Sequence, residues 1–127
     1  MVMDSCIAII PSTDLPRSLR FWTEGLGFST AREMRDENGN LIFCMVSNGS
    51  LVFMLNRRAG NSVKPDDYEG IRLYWAPSDL EETHRHLTAL GYEVSKIKRR
   101  DYGQSEFFMT DDDGFSHCFG KPTQPRP

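Results

Sequence analysis

Residues 14–28 read DLPRSLRFWTEGLGF and residues 79–92 read DLEETHRHLTALGY, so the chain carries one pattern twice. Each copy opens on Asp-Leu, places leucines at helical spacing and closes on Leu-Gly followed by an aromatic residue. Each copy also follows a short apolar run, at residues 6–10 and 71–75. Two copies predict two half-domains that pack as one unit, because a solenoid needs more repeats to bury its core.

The first copy predicts a strand followed by an amphipathic helix. Residues 6–10 are a short apolar run that we expect to form a strand ending at Pro11. Thr13 or Asp14 is the expected N-cap, and Pro16 falls in the first turn, where its missing N–H is not needed. The apolar stripe comprises Leu15, Leu19, Trp22 and Leu26. This stripe places Trp22 between the helix and a sheet, and glycines at 25 and 27 end the helix.

Three further strands are predicted to complete the first module, which spans about residues 3–56. They cover residues 28–35, 41–47 and 50–56, separated by Asn38-Gly39 and Asn48-Gly49. Asn-Gly pairs favour tight hairpin turns in which both central residues have positive φ. Residues 57–68 are polar, contain Gly60 and Pro65, and are the expected linker.

The second module is predicted over about residues 69–121, with residues 122–127 as a frayed tail. Ser78 and Glu81 fit the capping box of its helix, whose buried stripe would be Leu80, Leu87 and Leu90. Strands are expected at 92–99, 105–110 and 115–119, with a tight turn at 111–114. The whole chain is therefore predicted to be a single α+β domain, residues 1–127, built from two βαβββ modules.

Length, composition and charge narrow the classes of function. The chain has 127 residues, of which 39% are hydrophobic and 26% charged, and its formal net charge is −3. A chain of this size is one ordinary soluble domain. Its small negative charge does not attract nucleic acid, and no apolar run reaches the ~20 residues of a membrane-spanning helix. We therefore expect neither a nucleic acid partner nor a membrane association.

Cysteine usage and the start of the chain predict the compartment. The three cysteines, at 6, 44 and 118, are odd in number and lack a C-x-x-C pair. Such a set favours reduced thiols over a disulfide framework. The first residues lack the basic region and apolar core of a secretory signal. A cytoplasmic protein is expected.

The ordered motifs resemble those of the vicinal oxygen chelate superfamily. The resemblance rests on Asp-Leu at the start of each helix, Phe21-Trp22 within the first, and the Leu-Gly-aromatic ends. It also rests on residues 102–107 leading into the Asp-Asp-Asp-Gly turn, and it covers about residues 3–121. The superfamily includes glyoxalase I, extradiol dioxygenases, fosfomycin resistance enzymes and bleomycin resistance proteins. The resemblance implies two modules whose antiparallel-rich sheets curve around a shared cleft, commonly in a homodimer.

Enzymes of that superfamily usually bind a divalent metal through His or Gln on the first strand and Glu on the last strand of each module. The matching positions here are Cys6 and Met54 in the first module, and Arg72 and Cys118 in the second. None of them is an imidazole or a carboxylate, and the guanidinium of Arg72 repels a cation. The resemblance therefore predicts no metal ligand, no cofactor and no catalytic residue at these positions.

The same positions predict a ligand-binding surface instead. Alternation along strands puts Val52 with Met54 on one face, and Arg72 with Tyr74 on one face. The candidate ligand-binding residues are Cys6, Val52, Met54, Arg72, Tyr74, Tyr102 and Cys118. The apolar members have the alternative role of plain sheet core.

The histidines offer no competing site. His84 and His86 lie two positions apart on the second helix, so they point in different directions and cannot chelate one ion. His84 is expected near the sheet and His86 in solvent. His117 should point to the opposite face of its strand from Cys118, which disfavours a Cys-His dyad.

The leading hypothesis is a metal-free protein similar to the bleomycin resistance proteins, which sequester an antibiotic or another small organic ligand in a cleft. Arg72 favours an anionic group on that ligand. The first alternative is a metal-dependent lyase, isomerase or dioxygenase of the same superfamily. The second is a non-catalytic dimeric interaction module whose cleft is filled by side chains.

Overall fold

The computed structural model describes residues 1–58 and 72–123. The helices and strands are β1 Ile9–Ser12, α1 Leu15–Arg20, a π-helical turn Phe21–Gly25, β2 Ser29–Arg35, β3 Leu41–Asn48, β4 Leu51–Arg57, β5 Arg72–Trp75, α2 Leu80–Ala89, β6 Lys98–Arg99, β7 Gln104–Thr110 and β8 Ser116–Pro122. Among the described residues, no helix has both the length and the apolar character needed to cross a membrane.

The strands form two four-stranded sheets with the same topology. The first sheet has the order β1-β4-β3-β2 and the second the order β5-β8-β7-β6. In each sheet the first strand pairs in parallel with the last, and the remaining pairs are antiparallel. The chain divides into two compact units between residues 63 and 64. The predicted α+β fold with two βαβββ modules is confirmed, whereas one domain across residues 1–127 stays a prediction.

The helix of the first unit begins where the sequence predicts, but its α-helical part ends at Arg20 and a π-helical turn continues it to Gly25. Asp14 is the N-cap, and its carboxylate accepts a hydrogen bond from the Arg17 amide at 3.2 Å. Trp22 is 1% exposed and packs against Phe28 and Phe53, with ring centroids 5.2 and 4.9 Å away. The predicted position of Trp22 between helix and sheet is therefore confirmed, and these rings form the core of the first unit.

The first strand is shifted from its predicted position. The sequence places it at residues 6–10 with Pro11 as its end, but β1 spans Ile9–Ser12 and includes Pro11. Proline is tolerated there because β1 is an edge strand, so its missing N–H removes no central ladder bond. Pairing continues to Ser12, whose carbonyl accepts a hydrogen bond from the Arg58 amide at 2.7 Å.

In the turns predicted at Asn38-Gly39 and Asn48-Gly49, only the glycine has a positive φ. Among the described residues only glycines have positive φ, so neither Asn38 nor Asn48 adopts the conformation expected of an Asn-Gly turn. Between β2 and β3 the chain turns through residues 36–40, with Gly39 at φ +81°. The carboxylate of Asp36 accepts hydrogen bonds from the amides of Asn38 and Asn40, both at 2.9 Å. An acidic side chain therefore stabilises this turn.

The second helix has a different N-cap and a shorter buried stripe than predicted. The cap is Asp79, whose carboxylate accepts from the Glu82 amide at 3.0 Å, so the capping box at Ser78 is wrong. Leu80 and Leu87 are fully buried, but Leu90 is 42% exposed. Leu90 is the C-cap residue, at the end of the helix, and not part of the stripe.

The strand predicted at residues 92–99 forms only at Lys98–Arg99. Upstream, the hydroxyl of Ser95 accepts the hydrogen bond of the Phe108 amide at 2.8 Å, while the Ser95 amide donates to the Phe108 carbonyl at 2.9 Å. A side chain thus replaces a backbone carbonyl and interrupts the regular ladder. The final strand is longer than expected and reaches Pro122.

Three predictions fall wholly or partly outside the described residues. Of the linker predicted at 57–68, only the end of β4 and Arg58 are described. Residue 71, the first residue of the strand predicted at 71–75, also lies outside the described residues. Residues 124–127 of the predicted tail are not described, although the Thr123 amide donates to the Gly103 carbonyl at 2.9 Å.

Candidate functional site

One face of the second sheet is covered by α2 and the other is not. His84 of α2 packs edge-on against Phe107 at 5.0 Å and its Nε2 lies 2.9 Å from the Ser95 carbonyl, so it lies near the sheet as predicted. Side chains alternate along β5, β7 and β8, so the residues next to the helix-facing ones point the other way. We call this second side the helix-free face; it comprises Arg72, Tyr74, Glu106, Phe108, Cys118 and Gly120.

Glu106 is the centre of the helix-free face. It is 2% exposed, and its carboxylate accepts a 2.6 Å hydrogen bond from the Tyr74 hydroxyl and another from the Tyr102 hydroxyl. The Nε of Arg100 lies 3.5 Å from the same carboxylate. Burial opposes ionisation of Glu106, but the two phenols and the arginine outweigh it and lower its pKa. Glu106 is therefore a stable buried anion.

The Glu106 anion contributes to a raised pKa in both tyrosines. The pKa of Tyr74 is raised by burial and by the hydrogen bond to Glu106, and the Tyr102 pKa is raised chiefly by its own bond to the carboxylate. The two phenols therefore stay protonated and act as donors at neutral pH. The two tyrosines are 54% and 63% exposed as whole residues, so they present aromatic surface around the buried charge.

Gly120 makes this arrangement possible. Tyr74 lies on β5 and Glu106 on β7, with β8 between these two strands. The phenol must therefore extend across β8 to reach the carboxylate. It crosses at Gly120, where an added Cβ would lie 2.0 Å from the Tyr74 hydroxyl and 3.2 Å from Glu106 Cγ. Any side chain at this position would displace the phenol.

Cys118 and Arg72 complete the helix-free face. Cys118 is 5% exposed and pairs in register with Tyr74. Burial, followed by the negative charge of Glu106, raises the pKa of the Cys118 thiol to about 11, although the charges of Arg100 and Arg72 act in the opposite direction. Arg72 is exposed at the first position of β5. The structure thus brings Tyr74, Tyr102 and Cys118 together around Glu106, with Arg72 as a neighbouring cation.

The first-unit candidates lie on a less polar surface. Phe53 contacts Trp22 on the helix side, so Val52 and Met54 lie on the other face of the first sheet, as predicted. Both are partly buried, and Met54 pairs with Ile9 and Met45. Cys6 lies before β1 and is exposed. The structure does not bring it next to Met54.

The register also corrects the equivalence between Cys6 and Arg72. Ile9 pairs with Met54 as Tyr74 pairs with Cys118, and the Met54 amide donates to the Ala8 carbonyl. Two residues before Tyr74 is Arg72, and two residues before Ile9 is Ile7. The position equivalent to Arg72 is therefore Ile7 and not Cys6, and neighbouring residues of a strand point to opposite faces. The roles of all seven candidate residues in ligand binding stay predictions.

The side chains at the superfamily's ligand positions do not fit a divalent metal. Met54 is a soft thioether and Arg72 is a fixed cation, which leaves the Cys118 thiol as the single strong donor among them. The nearest carboxylate, Glu106, is already bonded to two phenols and faces an arginine. Within residues 1–58 and 72–123, no three His, Cys, Asp or Glu side chains form a group that could hold a metal ion.

His117 belongs to a separate cluster on the helix side. It is fully buried, its Nδ1 accepts a hydrogen bond from Trp75 Nε1 at 2.9 Å, and its Nε2 donates to Asp111 at 2.8 Å. It therefore points away from Cys118, as predicted, and joins β5 to the turn before β8. His86 is exposed on α2, also as expected.

Glu106, Arg100 and Gly120 are the residues that sequence reasoning missed. The signal for Glu106 was a single acidic residue within a strand whose neighbours include Phe107, Phe108 and Met109. A carboxylate in such a run is rarely buried without partners. The partners themselves come from other strands and a turn, so no local pattern reveals them.

Comparison with known proteins identifies the family. Residues 4–119 match the model of the Glyoxalase/Bleomycin resistance protein/Dioxygenase superfamily, so the chain belongs to this superfamily. No curated protein sequence matches the chain significantly.

Solved structures share the fold at low identity. A bleomycin-binding protein complexed with bleomycin is 19% identical, with a TM-score of 0.70, over 95% of this chain and 100% of that one. TnmS3, an antibiotic binding protein from Streptomyces sp. CB03234, is 18% identical, with a TM-score of 0.74, over 97% and 99%. The fosfomycin resistance protein FosX from Listeria monocytogenes is 13% identical, with a TM-score of 0.77, over 97% and 96%.

Proposed function

We propose that the chain is a metal-free protein that binds a small organic molecule, such as an antibiotic, on the helix-free face and sequesters it without chemical change. The observation that carries this proposal is the content of that face. It presents two exposed tyrosines, together with the Cys118 thiol and the Arg72 guanidinium at positions where metalloenzymes of the superfamily place their ligands. The antibiotic-binding relatives support the same class of function.

The charges on this face favour an aromatic ligand that carries an acidic group. Both carboxylate oxygens of Glu106 accept hydrogen bonds from phenols and Arg100 supplies a counter-charge, so this buried anion is not open to a ligand cation. Arg72 is exposed and has no ion pair with another described residue. Guanidinium binds carboxylates through paired hydrogen bonds, and the rings of Tyr74 and Tyr102 provide apolar area.

Isothermal titration tests this function with bleomycin and with a two-ring aromatic acid such as 1-naphthoate. We expect heat of binding from the acid, and about a tenfold weaker affinity for Arg72→Met, because a charged hydrogen bond is lost. Arg85→Met is the matched control, since Arg85 lies on the exposed side of α2. No heat from either compound, or equal affinity in Arg72→Met, would contradict the proposal.

A metal-dependent enzyme is the second candidate function. Its support is the likeness to a fosfomycin resistance protein and the presence of one buried carboxylate, Glu106, on the helix-free face. Elemental analysis of protein purified without chelators distinguishes the two functions. Stoichiometric Zn, Mn, Fe or Ni would overturn the metal-free proposal in favour of a lyase, isomerase or dioxygenase.

We further propose that the protein is a cytoplasmic homodimer. Three unpaired cysteines suit a reducing compartment. Large apolar side chains are exposed near the start of the chain, among them Ile7 and Ile9 at 39% and 57%, and a second copy would cover such surface. Sedimentation at micromolar concentration tests the dimer, and a single species of 14.5 kDa would contradict it.

A further inference from the structure

A cavity of about 360 Å³ opens in the first unit, between its helix and the edge of the first sheet. Its walls include Leu19, Arg20 and Thr23 from the helical segment, Thr30 and Arg35 from β2, and Leu41 from β3. It lies on the helix side of the sheet, opposite Val52 and Met54. It is therefore separate from the binding surface proposed above, and its volume is that of a small-molecule site.

The polar groups of this cavity are mostly hydrogen-bond donors. The guanidinium of Arg20 makes no hydrogen bond or ion pair within the described part of the chain. Arg35 is held in place by the Gly39 carbonyl and by Glu33, both at 3.0 Å, which leaves some of its N–H groups unused. The Thr23 hydroxyl already donates to the Leu19 carbonyl at 2.8 Å.

The charges and the apolar surface of the cavity indicate the chemical class of its ligand. Two guanidinium groups flank the cavity, and Glu33, paired with Arg35, offsets one of them. The remaining positive charge is that of Arg20. Buried Leu41 and half-buried Leu19 add an apolar wall beside these donors. Such a combination suits an anionic head with a short hydrocarbon body.

We propose that this cavity is a second binding site, specific for a small organic carboxylate, with Arg20 and Arg35 binding the carboxylate. Leu19 and Leu41 pack against the body of the ligand. Because Arg35 is already oriented by Gly39 and Glu33, the site loses little side-chain freedom when it binds. Arg20 supplies the counter-charge.

Titration of the ¹⁵N-labelled protein with benzoate, followed by NMR, tests the site. We expect benzoate to shift the amide signals of Leu19, Thr23, Thr30 and Leu41 in a saturable way. Benzamide, its neutral isostere, should shift them at least tenfold more weakly, since a charge-assisted contact is lost. Arg20→Met should weaken benzoate binding by a similar factor. Arg32→Met is the matched control, because Arg32 lies on β2 but outside the cavity walls.

Three outcomes would overturn the proposal. They are no saturable shift with benzoate up to 10 mM, equal binding of benzamide, or equal weakening by Arg32→Met and Arg20→Met. Shifts confined to β4, β5 and β8 would also count against it, because they would place benzoate on the other face of a sheet. The Arg72→Met variant keeps the two proposals apart: it should leave benzoate binding at this cavity unchanged.

Discussion

The two units share a backbone plan but differ in the side chains that they place on the face opposite the helix. Strand registers match position for position between the units. The corresponding pairs are Ile9 and Tyr74, Met54 and Cys118, Phe43 and Glu106, and Asn56 and Gly120. The first unit is mostly apolar at these positions, whereas the second holds a buried carboxylate and its phenol donor. A duplicated fold thus fixes where side chains point, and substitution decides what chemistry they offer.

The two units also differ on the face of the sheet that the helix covers. We expect the substitution with the largest effect on the free energy of unfolding to lie there. Trp22 and Leu87 occupy the same place in the two copies, and both are at most 1% exposed. Trp22→Ala should lower the free energy of unfolding by about 3–5 kcal/mol, because it empties a site bounded by Phe28 and Phe53. Urea denaturation measures the loss. Leu87→Ala should cost less, because a smaller side chain is removed, and a greater loss in Leu87→Ala would contradict this ranking.

The next largest effect is expected at Gly120, whose counterpart is Asn56. Gly120→Ala should lower the free energy of unfolding by about 1–3 kcal/mol, because the new Cβ displaces the Tyr74 phenol from Glu106. Asn56→Ala should change it by less than about 1 kcal/mol, since the amide oxygen of Asn56 is buried with no hydrogen-bond partner in the described structure.

A double variant separates the clash from a general effect of alanine in β8. If the phenol is the cause, Tyr74→Ala combined with Gly120→Ala should be no less stable than Tyr74→Ala alone. Chemical denaturation of the three variants provides the comparison. Additive losses would show that Gly120 matters for a reason other than the crossing of Tyr74.

Sequence patterns predicted the elements that local chemistry determines. The Asp-Leu starts, the leucine stripes and the Leu-Gly ends locate both helices, and the repeat itself predicts two sheets of equal topology. They failed where a tertiary contact overrides a local preference. Ser95 replaces a strand partner with its own hydroxyl, and Asp36 holds a turn that Asn38 was expected to form.

The candidate site was predicted less completely than the fold. Strand alternation identified Arg72, Tyr74 and Cys118 as residues of one face, and this placement follows from register. The carboxylate at the centre was missed, because its three partners lie 4, 6 and 32 positions away in the sequence. Burial of Glu106 depends on their convergence, which only the folded arrangement of the strands reveals.

Acid should lower the stability of the second unit by protonating Glu106. Phe43, at the corresponding place in the first unit, has no group that titrates. The pKa of Glu106 is lowered in the folded state from an ordinary value of 4.5, so it stabilises the fold above that value. This contribution is lost as the pH falls through the folded pKa. Glu106→Gln should therefore cost about 1 kcal/mol at pH 7, where a charged acceptor becomes neutral.

The same variant should lose its disadvantage in acid. Urea titrations at decreasing pH should show the stability gap between wild type and Glu106→Gln narrowing below about pH 4.5, because the wild-type carboxylate loses its charge there. Phe43→Leu, at the corresponding place in the first unit, is the control and should differ from wild type by the same amount at every pH. A constant gap for Glu106→Gln would contradict an ionised Glu106 at the centre of the helix-free face.

The smallest effect concerns thiol chemistry and leaves stability unchanged. Burial raises the pKa of Cys44 in the first unit and of Cys118 in the second to about 11, whereas Cys6 is exposed. The thiolate is the reactive form, so at pH 8 only about one in a thousand of the buried thiols is reactive. We expect a disulfide reagent such as DTNB to modify one cysteine per native chain quickly and all three in urea. The Cys6→Ser variant should lose the fast phase. A fast phase that persists in Cys6→Ser would mean that Cys44 or Cys118 is open to solvent, which would contradict the burial that raises the pKa of both thiols.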